Sequence, residues 1–255
     1  MCYDLDARPP LPPIRGAAGD ATRLTLGAAD GAAISAYSAQ ARKPGGPGVV
    51  VLPDVRGLHP FYEELALRLA EAGAHATAID YFARTAPPAP RDEEFDYQSH
   101  ILQTRLDTMT QDTAAGVAHL RSPQGGGAER VYTLGFCFGG RVSLLQAIGG
   151  HGLAGVISFY GVPVGAHRSG LTEPITVADR FECPVLALYG GADQAISPEA
   201  IDAFDAALDA AGVERRTVVY PGATHSFFDR RSAEFAEASA DAWEQVLEFI
   251  GLAAG

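Results

Sequence analysis

Cys137, Asp193 and His225 carry side chains of the types that together can perform acyl transfer. A thiol attacks a carbonyl only as thiolate, an imidazole can take its proton, and a carboxylate behind the imidazole fixes the tautomer that does so. Nucleophile, acid, histidine is one of the recurrent orders of such a constellation. Each residue sits in a short motif: Gly135-Phe136-Cys137-Phe138-Gly139-Gly140, Gly190-Gly191-Ala192-Asp193, and Gly222-Ala223-Thr224-His225-Ser226-Phe227. Taken singly, each has a plain reading as a buried structural thiol, a turn aspartate and a loop histidine. His59, His75, His100, His119, His151 and His167 are alternatives in number only, since none follows a strand in this order.

The elements around these residues give the order its meaning. Arg130–Leu134 reads as a strand and Arg141–Ile148 as a helix, so Cys137 falls on a strand–turn–helix with small residues two before and two after it. That is the context of a nucleophile elbow, with cysteine in place of serine. The helix start directs amide N–H groups and the positive dipole end at the sulfur, which favours thiolate. Gly48–Asp54 is a continuous apolar run expected of a strand buried on both faces. His75–Asp80, Gly155–Tyr160, Pro184–Tyr189 and Thr217–Tyr220 read as further strands. Helices are expected over Pro60–Gly73, from about Tyr97 to Arg121, from Ser197 to Ala211, and over Ala233–Leu252, with an irregular excursion at 161–180. Arg23–Leu26 and Ala33–Tyr37 alternate across Asp30-Gly31, a hairpin signal. Alternating strands and helices predict an α/β fold with a mostly parallel sheet covered on both faces. Residues 1–21, with Pro9, Pro10, Pro12 and Pro13, read as an extended arm, and residues 22–255 as one catalytic domain. Active groups of such sheets gather at the carboxyl edge of the strands, where Asp54, Asp80, Cys137, Asp193 and His225 fall.

Composition narrows the class. A net charge of −12 argues against nucleic-acid or anionic-membrane binding. No apolar run reaches membrane-spanning length and the N-terminus lacks a secretory pattern, so a cytoplasmic protein is expected. Cys2, Cys137 and Cys183 have no paired spacing for disulfides or zinc. No phosphate-binding glycine loop appears, and neither a metal nor a cofactor is expected.

The three motifs, with the strand order from about residue 22 onward, resemble the dienelactone hydrolase family of α/β-hydrolases. The resemblance implies a Cys-His-Asp triad: Cys137 the nucleophile, His225 the base and acid, Asp193 the group orienting the imidazole. In that family a glutamate follows the third strand and contacts the resting thiol; here Asp54, one methylene shorter, stands there and either accepts the thiol proton or only orders the loop. Acyl transfer also needs two oxyanion donors, for which the backbone N–H groups of Phe138 and Val55 are the candidates. Tyr81-Phe82-Ala83-Arg84 resembles the family segment whose arginine binds a substrate carboxylate, making Arg84 a candidate anchor; its plain alternative is a surface arginine paired with an acid. The family's second such arginine would stand four residues after the histidine, where this chain has Asp229. Phe82, Tyr160 and Phe227 are candidate walls of the substrate pocket, with Phe61 and Tyr62 as further aromatics; the plain alternative for aromatics at strand ends is the core.

The expected activity is hydrolysis of a small carboxylic ester or lactone by a monomer or homodimer. A thioesterase or arylesterase would use the same groups. A non-catalytic small-molecule binder would need only the scaffold, and a redox-sensing Cys137 would need a resolving cysteine that the sequence does not place nearby.

Overall fold

The computed structural model describes residues 7–13, 18–87, 91 and 95–252. Eight strands form one sheet in the order β1-β2-β4-β3-β5-β6-β7-β8. They are β1 Ala18–Gly27, β2 Ala33–Ala41, β3 Pro47–Leu52, β4 His75–Ile79, β5 Arg130–Phe136, β6 Gly155–Phe159, β7 Val185–Gly190 and β8 Arg215–Tyr220. β1 and β2 form the antiparallel hairpin, β2 pairs antiparallel with β4, and β4 through β8 run parallel. The α/β-hydrolase architecture expected from the sequence is the one adopted.

β3 shows why a continuous apolar run was needed. Val49 and Val51 enter one buried cluster, with Leu65 and Leu69 of α1 (Pro60–Ala72). Val50 and Leu52 enter the other, with residues from the stretch between β4 and β5. Side chains alternate across a strand, so both faces must be apolar when helices cover both. α1 starts with proline in its first turn and ends at Gly73, whose φ of 108° closes the last turn, with N–H bonds back to Ala70 and Leu69 carbonyls.

Two differences from the sequence reading concern whole elements. β1 begins at Ala18, so the last residues assigned to the arm pair with β2; residues 1–6 and 14–17 of that arm lie outside the described residues. The single helix expected over 97–121 is two, α2 Tyr97–Ile101 and α3 Leu106–Arg121. Thr104 Oγ1 donates to the Ile101 carbonyl at 2.7 Å and Arg105 is extended at φ −133°. A threonine hydroxyl competing for a backbone carbonyl ends the first helix there. The remaining helices are α4 Phe138–Gln146, α5 Pro198–Ala210 and α6 Ala236–Phe249. Among the described residues no helix is long and apolar enough to cross a membrane.

Candidate active site

Cys137 stands between β5 and α4 with φ 55° and ψ −114°. A positive φ on a non-glycine residue persists only where its surroundings fix it. Here the Cys137 N–H donates to the Phe159 carbonyl at 3.0 Å and the Cys137 carbonyl accepts from the Arg141 N–H at 3.1 Å. The glycines of the motif are explained by contact. A Cβ on Gly135 would lie 1.9 Å from the Gly139 oxygen, and one on Gly139 would lie 2.1 Å from the Pro53 oxygen. A Cβ on Gly140 would lie 2.7 Å from the Phe159 oxygen. Backbone thus meets backbone on every side of the elbow, and the end of β3 is drawn against the start of α4. Cys137 is partly exposed, whereas Cys183 is buried, which pushes its thiol up to about 12.

The imidazole comes from the loop after β8. A Cβ on Gly190 would fall 2.5 Å from the Ala223 oxygen, and the Ala192 N–H donates to that oxygen at 2.8 Å. The histidine loop is therefore tied to the end of β7, where Asp193 begins a turn. His225 Nδ1 meets Asp193 Oδ2 at 2.7 Å, while Asp193 Oδ1 accepts from the Ala195 N–H at 2.8 Å. The Asp193 side chain is wholly buried and its orientation is fixed from both oxygens. Tyr160, which follows the residue holding the Cys137 N–H, lays its ring 4.8 Å from that of His225. Cys137, Tyr160 and Ser226, next to His225, are the non-glycine residues with positive φ among those described.

Asp54 and Val55 lie in a braced turn after β3. Asp54 Oδ1 accepts from the Arg56 N–H at 2.9 Å, and its carbonyl from the Gly57 N–H at 3.1 Å. The Tyr81 hydroxyl donates to the Pro53 carbonyl at 2.6 Å and also to the Asp54 carbonyl. The Asp54 N–H donates to the Tyr62 hydroxyl at 2.9 Å. Asp54 therefore does order its loop.

Four candidates require comment. Arg84 Nε and Nη2 bind the buried Asp112 at 2.7–3.1 Å, and Nη1 and Nη2 bind Asp30 at 2.6 and 3.1 Å. Its fork is occupied by two carboxylates of the protein, which is the plain alternative rather than a free anchor. Phe82 and Phe227 are fully buried, Phe82 against Tyr81 and Phe95 and Phe227 against Tyr160 and Tyr220, so they belong to the core beneath the site. Tyr160 is also buried, but its ring contacts that of His225.

Sequence reasoning did not assign Asp229 or His59 to the site. The Tyr160 hydroxyl donates to Asp229 Oδ2 at 2.9 Å; burial first, and then the charge of Asp54, pushes the Asp229 carboxyl up to about 7. His59 Nε2 stands 3.8 Å from Asp54 Oδ1. The signal for Asp229 was its position four residues beyond His225, and for His59 its place in the loop after β3.

A mostly parallel eight-stranded sheet with helices on both faces, carrying a strained elbow cysteine and a carboxylate–imidazole pair at its carboxyl edge, defines an α/β-hydrolase. The sequence model of the Dienelactone hydrolase family matches residues 34–253. Proteins named "Putative carboxymethylenebutenolidase" are 32% identical over 219 residues in Salmonella typhimurium (84% of this chain, 81% of that protein) and 31% identical over 206 in Yersinia pestis (80% and 77%). The crystal structure titled "Putative Dienelactone Hydrolase" from Klebsiella pneumoniae superposes with a TM-score of 0.76 at 28% identity, over 91% of this chain and 98% of that one. The chain belongs to the dienelactone hydrolase family and is a carboxylic ester or lactone hydrolase.

Proposed function

We propose that this hydrolase works through a Cys137–His225–Asp193 triad and an acyl-enzyme on Cys137, with a small uncharged ester or lactone as substrate. The observation that carries the reading is the 2.7 Å contact of His225 Nδ1 with the buried Asp193, at the same sheet edge as the elbow cysteine. With Nδ1–H held by the carboxylate, Nε2 is the nitrogen that receives the thiol proton.

The thiolate then attacks the carbonyl carbon, and the C=O pair moves onto oxygen. The Phe138 and Val55 N–H groups are the donors for that oxyanion, and each such donor typically contributes a factor of about a hundred or more in rate. The contact of Gly139 with Pro53 supports this pairing, because it brings the two segments that carry them together. Collapse breaks the C–O bond, the leaving alkoxide takes the proton from His225, and a thioester remains. In a lactone the alkoxide stays tethered to the acyl group. His225 next deprotonates water, whose attack releases the acid and restores the thiolate. In the resting enzyme Asp54 accepts a hydrogen bond from the Cys137 thiol, and the proton itself passes to His225 as the sulfur attacks.

The substrate is read as uncharged because the Arg84 fork is filled by Asp30 and Asp112 and because a carboxyl group, Asp229, lies beside Tyr160. Cys137→Ala tested on p-nitrophenyl acetate decides the nucleophile. Turnover lost in a variant that keeps the parent's unfolding temperature supports the reading, and turnover retained refutes it.

A further inference from the structure

Arg141 lies in the first turn of α4, four residues after the nucleophile, and is 2% exposed. Among the described residues its guanidinium donates to no carboxylate. Nη1 bonds the carbonyls of Gly165 at 2.8 Å and Val162 at 3.4 Å, Nη2 those of Leu171 at 3.1 Å and Thr172 at 3.0 Å, and Nε that of Thr172 at 3.3 Å. All four acceptors belong to the excursion between β6 and β7. The nearby Glu173 carboxylate accepts from the Gly165 N–H at 2.7 Å and holds the same loop. A buried cation answered by carbonyl dipoles is costly, and an apolar side chain would fill the space more cheaply. What the fork adds is geometry, because its planar donors fix several carbonyls at once.

The clamped loop returns to the site. Leu171 is buried in the cluster that holds Phe138 and Val55, against which Cys137 packs. The His167 ring lies 5.1 Å from the Phe138 ring, and its Nδ1 is held by Ser169 through Oγ at 2.7 Å and N–H at 3.2 Å. We propose that residues 161–173 form a fixed wall of the substrate pocket and that Arg141 is a positioning residue, holding Leu171 and His167 against Phe138. The assignment rests on the reading of Cys137 as the nucleophile.

The test compares Arg141→Met, Arg141→Lys and His167→Ala with the parent. The substrates are p-nitrophenyl acetate and the bulkier p-nitrophenyl hexanoate, and trypsin cleavage after the exposed Arg168 is followed by mass. For Arg141→Met, loss of the wall raises KM for the hexanoate about tenfold or more while kcat changes far less, the signature of lost binding rather than lost chemistry. Cleavage after Arg168 accelerates about tenfold in the same variant, as expected when local opening of a segment becomes easier. Arg141→Lys restores part of both effects, and His167→Ala reproduces the KM effect without the cleavage. A parent-like KM and protease resistance in Arg141→Met overturn the proposal. So does a fall in kcat that tracks loss of folded protein and is equal in the Lys variant. If the parent turns over neither ester, it is the nucleophile reading that fails, and cleavage after Arg168 alone decides the clamp.

Discussion

The Tyr160 hydroxyl donates to Asp229 Oδ2 at 2.9 Å, and the same tyrosine ring lies 4.8 Å from the His225 ring. A second acid therefore sits behind the His225–Asp193 pair, linked to it by one side chain. Burial and then Asp54 raise the Asp229 carboxyl to about 7, so the folded protein holds this proton more tightly than the unfolded chain. Stability from this group is full below the ordinary carboxylate range and is lost as pH rises toward and past 7. Asp229→Asn keeps an acceptor for Tyr160 and removes the titration. Its unfolding temperature should exceed the parent's by several degrees at pH 8, at about 2–4 °C per kcal/mol for a domain this size, and by much less at pH 4.5. An equal difference at both pH values would contradict the assignment.

The two roles proposed for Asp54 are separable. Asparagine retains the oxygen that accepts the Arg56 N–H but not the charge. Asp54→Asn is expected to unfold like the parent and to lose about a hundredfold in kcat/KM, the usual scale for a proton-transfer partner. Parent-like turnover would reduce Asp54 to a residue that shapes the Val55 turn.

Arg84 is tied to Asp112, whose side chain is fully buried, so Arg84→Met strands a charge. Removing one partner of a buried pair typically costs about 3–5 kcal/mol. Denaturant unfolding should register a loss on that scale, with the KM ratio for carboxylate-bearing against neutral lactones unchanged. A selective rise in KM for the charged lactone would return Arg84 to the role of anchor.

Gly135→Ala tests the elbow itself. The added methyl would lie 1.9 Å from a backbone oxygen, where neither group can swing aside. Overpacking of this kind costs about 1–3 kcal/mol or more, and the elbow shift should lower turnover beyond what the loss of folded protein explains. Parent-like activity and stability would mean that the glycine is incidental.

What the sequence made legible follows the range of each interaction. The elbow was readable because Gly135, Cys137 and Gly139 answer to one another within a few residues. Asp193 and His225 are 32 residues apart, yet were readable because strand order carries both to one sheet edge. Arg84 was not, since its partners lie 54 and 28 residues away, on the hairpin turn and on α3, and no local pattern records them. Phe82 and Phe227 look like pocket walls in a sequence because strand ends and core share the same aromatics. Asp229 was visible as an acid in an arginine's place, but its pairing with Tyr160 needed the fold.

The proposed mechanism requires a covalent acyl group on Cys137. Rapid-quench peptide mass mapping of the parent with p-nitrophenyl acetate tests it most directly. A transient acetyl group is expected on the peptide containing Cys137, formed as fast as the first nitrophenol is released. Nitrophenol released with no acyl group on that peptide, or with one on another residue, would contradict it.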